Sequence, residues 1–328
     1  MNRMSGEHDH FHSIDLLRGL AALAVGVFHL GTHFLSGSNP LRWVGDFGYL
    51  GVECFFVISG FIIPYTLWRR GYQWGDAGRF LLARVLRLHP AYLGSLALVL
   101  LTLWLPGVMP EPWHRENVID WGNVALHLGY LPQLCGRPWL NGVYWSLGIE
   151  MQYYLLVALV YPWVVRGGWR ALVFAGLFAA SAFLTPKAVV GHHACMFLPG
   201  MLLFWWRIGR LRGWQLAAGL AVMAVLLRWH DGSFRGVAAV AVAVWMIAWW
   251  RWNNPVGAWL GRISYSFYLV HTIVAFAFLG WLTPGIGNEW ARTGLVLAAL
   301  GLALAAATLF HRWLEEPSHR WARRCFRR

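Results

Sequence analysis

The sequence predicts an all-α, polytopic membrane protein with about ten transmembrane helices, and three observations carry that prediction. Of its 328 residues 58% are hydrophobic and only 12% charged, where a soluble domain carries about 25% charged residues; the mean hydropathy is +0.49. Apolar runs able to cross a hydrocarbon core of ~30 Å recur from end to end, at 14–34, 48–68, 88–105, 144–165, 169–184, 192–207, 213–228, 235–251, 258–282 and 291–313. The basic residues then alternate with those runs. With a cytoplasmic N-terminus and Arg18 set aside inside the first helix, 19 of the 27 Lys and Arg fall on inner segments and 7 on outer ones, as the positive-inside rule requires. Both termini are therefore expected in the cytoplasm.

The first run, 14–34, is longer than a signal-peptide core, holds a charge and has no small-x-small site at its end, so it reads as a retained helix. It carries Asp15, Arg18 and His29. Arg18 and His29 are eleven residues apart, just over three turns, and share a stripe roughly 16 Å long. Ionisable groups inside a membrane helix mark a functional path by default, and Asp15, three residues before Arg18, is the expected partner of the arginine. The second run contains Gly51-Val52-Glu53-Cys54-Phe55-Phe56-Val57-Ile58-Ser59-Gly60-Phe61. Ahead of the third stand Arg79, Arg84 and Arg87 with His89-Pro90. Arg84 and Arg87 share a face if helical, a guanidinium fork suited to phosphate or carboxylate; they serve equally as topology determinants.

Residues 106–141 form the longest non-spanning stretch, on the outer side, with Trp113, Asp120, Trp121 and an apolar segment 124–131 that reads as an interfacial or re-entrant helix, or as an ordered loop. The fourth run opens on Trp145-Ser146-Leu147-Gly148-Ile149-Glu150. It enters from outside, so Glu150 falls at the depth of His29, and we expect the carboxylate to orient or charge that imidazole. The fifth and sixth runs are short. Small residues thread 217–224 and 298–308, which suits close helix contact. In the ninth run Ser264, Tyr268 and His271 follow i, i+4, i+7 and make one polar face. Many of the 23 tryptophans lie near run ends, as an interfacial belt does.

The chain thus reads as one membrane domain over 1–328, with a cytoplasmic tail at 1–13 and a basic cytoplasmic tail at 315–328. His8-Asp9-His10-Phe11-His12 reads as a solvated terminus, and His192, His193 and Cys195 lack further ligands at metal spacing, so no metal is predicted. Cys135 and Cys195 share the outer side, but four cysteines imply no disulfide framework. Scattered basic loops disfavour nucleic acid as a partner. There is no Gly-x-Ser-x-Gly elbow, Walker loop, Gly-x-Gly-x-x-Gly or His-Glu-x-x-His, which disfavours an ATP-driven pump and a serine hydrolase of the usual kind.

Six blocks in order resemble the integral-membrane acyltransferase-3 family, which includes O-antigen acetylases, nodulation-factor acetyltransferases and macrolide acyltransferases: Asp15-x-x-Arg18-Gly19 with His29, the 51–61 block, Arg84-Val85-Leu86-Arg87-Leu88-His89-Pro90, Trp145-Ser146-Leu147 with Glu150, 261–271, and Glu315-Glu316-Pro317. Cys54 and His89 depart from the residues common there. The chain stops soon after the tenth run, so acceptor recognition is expected from outer loops or a partner rather than from a fused hydrolase-like domain. The resemblance implies a multi-pass protein of the bacterial cytoplasmic membrane, in contact with membrane lipids. It also implies an acyl-CoA donor, acetyl-CoA above all, with no bound cofactor, and a hydroxyl acceptor on a glycan, glycolipid or related sugar. In that scheme His29 is the general base supported by Glu150. Arg84 and Arg87 meet the CoA phosphates, with Arg18 between them and the histidine. Trp145, Ser146 and Arg18 are candidates to stabilise the oxyanion, and Asp15, Ser264, Tyr268 and His271 support the site. Direct transfer is preferred to an acyl-enzyme, since no activated serine or cysteine is evident. The rival class is a proton-coupled transporter or flippase, which buried charges on a crossing path also fit; a degenerate relative serving as sensor or assembly partner is a third.

Overall fold

A computed structural model describes residues 12–105, 119–250 and 254–325. The histidine run 8–11, Trp113 and the basic residues Arg3, Arg115, Arg251, Arg327 and Arg328 lie outside the described residues. Every one of the ten apolar runs contains a helix, and the described residues hold no strand. In order the helices are α1 (His12–Phe34), α2 (Pro40–Gly45), α3 (Gly51–Arg69), α4 (Ala77–Trp104), α5 (Trp121–Leu128), α6 (Trp145–Val164), α7 (Gly168–Leu184), α8 (Ala194–Arg207), α9 (Gly213–Asp231), α10 (Phe234–Trp249), α11 (Pro255–Leu282), α12 (Glu289–Phe310) and α13 (Glu316–Cys325). A π-helical turn, His311–Glu315, joins the last two.

Among the described residues, six helical stretches are long and apolar enough to cross a membrane: His12–Phe34, Pro40–Arg69, Trp74–Trp104, Gly142–Val164, Pro255–Leu282 and Glu289–Arg324. α7 and α10 are apolar but shorter. At 1.5 Å per residue α7, α8 and α10 reach only roughly 21–26 Å, less than the ~30 Å core. α8 is nonetheless the most enclosed helix, with Phe197, Phe204 and Trp205 buried at the centre of the bundle. It crosses α3 with backbones in contact: a Cβ on Gly60 would stand 2.1 Å from the Phe197 carbonyl, and one on Gly200 2.1 Å from that of Val57. Small residues admit such approach where no water drives helices together.

α4 begins eleven residues before the predicted span. Hydropathy starts the run at Leu88, whereas the helix starts at Ala77 and carries Arg79, Arg84 and Arg87 in its first turns; Pro90 sits within it. The arginines thus belong to the helix itself, and Arg84 and Arg87 stand three residues apart on it, as a shared face requires. Of the segment 106–141, residues 119–141 are described, and they hold a short helix, α5, capped by Asp120 accepting from the Asn123 amide. His127 pins its return: Nδ1 donates to Asn123 O (2.8 Å) and Nε2 accepts from Leu140 N (3.0 Å). Tyr130 adopts φ +58, and its ring stacks on Tyr92 of α4 at 4.5 Å. Cys54, Cys135 and Cys195 are free thiols, Cys135 exposed and Cys195 buried.

Candidate active site

Two cavities lie at opposite ends of α1 and meet at its middle. The first, about 140 Å³, is lined by Arg18, Arg84, Arg87, Ser59, Ser146, Glu150, Tyr154 and Ser264 among others. The second, about 430 Å³, is lined by His29, Tyr49, Glu53, Trp145, His193 and Asp231 among others. Phe56 and Tyr268 line both. We refer to them as the arginine and histidine cavities. A third space of about 250 Å³ opens beside the first and is bordered by Arg70, Arg84, Arg87, His319 and Arg323.

The arginine cavity is lined by five helices, α1, α3, α4, α6 and α11. Arg18 makes no ion pair within 4 Å among the described residues; Arg87, Glu315, Asp15 and Glu150 act on it electrostatically, Glu315 foremost of the carboxylates. Asp15, the expected partner, acts on Arg18 together with Glu315, a residue far away in sequence. Arg84 lies over the rings of Phe80 (5.2 Å) and Tyr154 (5.5 Å). Guanidiniums held on aromatic faces rather than neutralised by carboxylates remain able to take an anionic ligand.

Glu150 belongs to this cavity. Its Oε1 accepts from Ser59 Oγ (3.1 Å) and Tyr154 OH (2.5 Å), and it acts electrostatically on Arg84 and Arg18. The predicted contact with His29 is not formed. Equal depth in the membrane is not proximity: Glu150 turns to α3 and its own helix, whereas His29 lines the other cavity.

What faces His29 is His271. Their ring centroids are 5.5 Å apart. His271 is fully buried, with Nδ1 donating to Phe267 O and Tyr268 O (both 3.0 Å) and Nε2 left without a partner. The polar stripe Ser264, Tyr268, His271 thus runs from one cavity to the other along α11. At its centre Tyr268 OH and Ser146 Oγ lie 2.7 Å apart and both reach the Val143 carbonyl, at 2.9 and 3.3 Å. Trp145 packs on Phe56 and His193, with centroids 6.0 and 5.4 Å away, on the histidine side of that junction.

Glu315, quoted in the sequence only as part of a motif, proves central. It is 0% exposed; its Oε2 accepts from Ser266 N (3.2 Å) and Ser266 Oγ (2.6 Å). His311 Nδ1 at 3.0 Å and His319 Nε2 at 3.5 Å flank it at ion-pair distance, off the line of a hydrogen bond. Ser318 Oγ ties the same turn to Arg87 O (3.1 Å). The π turn puts Glu315 inward, an insertion of the kind that recurs at functional sites. Ser59, Tyr154 and His319 were likewise missed; the only sequence signal for Ser59 and Glu315 is their place inside family blocks. Among the described residues no group of three or more His, Cys, Asp or Glu is arranged to hold a metal.

The described residues thus form a helical bundle holding a basic cavity and a histidine cavity that share Phe56 and Tyr268. A family model described as an acyltransferase domain matches residues 11–312, and the chain belongs to that acyltransferase-3 family. O-acetyltransferase OatA of Staphylococcus aureus (strain NCTC 8325 / PS 47) is 30% identical over 188 residues, 55% of this chain and 29% of that protein. Nodulation protein 10 of Rhizobium leguminosarum bv. viciae is 26% identical over 358 residues, 92% of this chain and 94% of that protein. The match thus spans well under half of OatA. No solved structure matches the chain.

Proposed function

We propose that this protein moves an acyl group, acetyl first, from cytoplasmic acyl-CoA to a hydroxyl of an extracytoplasmic glycan, glycolipid or related sugar. The single observation behind the proposal is the pair of cavities joined at Tyr268 and Phe56, basic at one end and histidine-lined at the other. On the orientation that the basic residues favour, with ten spans and both termini inside, the arginine cavity faces the cytoplasm of the bacterial cell and the histidine cavity faces out.

Arg84 and Arg87 receive the phosphates of CoA, with the mouth beside Arg70 and Arg323 widening the positive field. The acyl thioester then points along α1 past Arg18 toward the junction. His29 accepts the proton of the acceptor hydroxyl as its oxygen attacks the thioester carbonyl. The C–O bond forms, the C–S bond breaks, the CoA thiolate leaves toward the arginines, and the proton taken by His29 is released through solvent to that thiolate, which restores the neutral imidazole. Arg18, Ser146 and Trp145 are placed to meet the oxyanion. His271 limits where the His29 ring can turn, and Glu150 balances Arg18 and Arg84 while holding Tyr154, rather than charging His29.

Purified protein supplied with radiolabelled acetyl-CoA and a cell-envelope glycan fraction should transfer label. General-base help contributes about 10²–10⁴-fold, so His29→Ala should lower transfer by at least about 100-fold in protein that still binds acetyl-CoA. Full activity in that variant would end the assignment, and uptake of glycan without label transfer would favour a carrier.

A further inference from the structure

The histidine cavity has a wall that the transfer chemistry leaves unused. Glu53, in the first turn of α3, is 5% exposed, lines the cavity and has no hydrogen-bond partner among the described residues; its Oε2 is entirely enclosed. Asp231, the last residue of α9, lines the same space. A Cβ built on Gly236 would stand 2.9 Å from Asp231 Oδ2 and 3.1 Å from Glu53 Oε2, so these two oxygens lie within about 6 Å of each other, and the glycine leaves the ground between them clear. A buried carboxylate without a donor is costly, and a second carboxylate beside it raises that cost.

The surrounding imidazoles supply no remedy. His192 Nδ1 donates to Thr185 O, His193 Nε2 to Lys187 O and His230 Nε2 to Ala182 O, each at 3.1 Å. A neutral imidazole that donates from one nitrogen accepts at the other. His230 Nδ1 is buried without a partner, 3.9 Å from Asp231 Oδ1. This wall therefore offers acceptors in excess and asks for a ligand rich in donors. Lys187 lines the cavity too and opposes a cationic ligand, while Trp145 gives an apolar flank.

We propose that this wall is the seat of the acceptor: the Glu53–Asp231 pair, with His230, hydrogen-bonds two hydroxyls of a neutral sugar ring whose reacting hydroxyl meets His29. The proposal rests on the O-acyltransferase reading and adds to it the residues that select the acceptor. A ring hydroxyl donating to a carboxylate makes one of the stronger hydrogen bonds available to a sugar.

The test uses the full chain in detergent, radiolabelled acetyl-CoA and the envelope glycan fraction, with Glu53→Gln, Asp231→Asn and Gly236→Ala. The first two keep size and replace a carboxyl group by an amide; the third keeps both carboxyl groups and fills the space between them. Each should raise the half-saturating glycan concentration at least ten-fold and leave that for acetyl-CoA within two-fold. Unchanged glycan dependence in all three overturns the seat while leaving the transferase standing, as does equal weakening of donor and acceptor. Mild N-acetylation of free amines in the fraction should leave its acceptor capacity intact; loss of capacity would assign the pair to an ammonium and overturn a hydroxyl seat. If wild-type protein labels nothing, the transferase reading falls and the seat with it.

Discussion

Glu315 and Glu316 are adjacent, chemically identical and, on this structure, opposite in consequence. Glu315 is 0% exposed and is met by Ser266 N, Ser266 Oγ, His311 and His319. Glu315→Gln removes the charge and turns an amide NH₂ toward groups that had faced an oxygen. Breaking a buried, hydrogen-bonded charge of this kind costs about 3–5 kcal/mol. Glu316 is exposed and pairs with Arg320, at 3.5 Å on the surface of α13; Glu316→Gln should cost no more than about 1 kcal/mol. At about 2 °C per kcal/mol for a chain of this size, the first variant should melt roughly 6–10 °C below wild type and the second within about 2 °C. Tryptophan fluorescence during thermal unfolding in detergent reads both. Because Glu315 acts electrostatically on Arg18, the first variant should also change the acetyl-CoA requirement. Equal melting shifts for the two would refute the placement of Glu315 as the buried centre of the π turn.

Arg84→Gln and Arg87→Gln should each raise the acetyl-CoA KM about ten-fold with little change in melting temperature, and donor titrations that superpose on wild type would dismiss the guanidiniums as phosphate ligands. Gly60→Ala or Gly200→Ala forces a Cβ to within 2.1 Å of a carbonyl oxygen across the α3–α8 crossing, and should cost at least about 1–3 kcal/mol, visible as a lower melting temperature or loss of folded protein on size exclusion. In the outer connection, burial holds the His127 imidazole below its ordinary value. The unfolded segment therefore protonates first, and stability rises with pH in the window below about 6.5. Hydrogen exchange at Leu140 N, whose acceptor is His127 Nε2, should quicken as pH falls through that window; a pH-independent opening rate would contradict it.

Most of the architecture was legible because hydropathy measures what each helix must be next to. Every apolar run holds a helix, and the polar stripe Ser264, Tyr268, His271 lies along one line of α11 as the i, i+4, i+7 spacing requires. The same measure failed where a helix serves a cavity instead of lipid: the arginines of α4 fall outside the apolar run because only a folded neighbour gives them a wall to line. Pairings across the bundle were illegible for another reason. Depth along the membrane normal can be counted from helix ends, but the angular position of Glu150 is set by Ser59 and Tyr154, and no local pattern announces it. Glu315 was hidden twice over, by its separation from Arg18 and by a π turn that changes which face it occupies. Tyr130, at φ +58, owes its place to the Tyr92 ring it stacks on.

The measurement that bears most directly on a transfer path through the protein separates donor and acceptor by the membrane itself. Protein reconstituted in sealed vesicles, with the glycan fraction trapped inside and radiolabelled acetyl-CoA added outside, should label the trapped glycan, and His29→Ala should not. Label appearing only after the vesicles are opened with detergent would show that both substrates are met on one side, and would contradict a path from the arginine cavity to the histidine cavity.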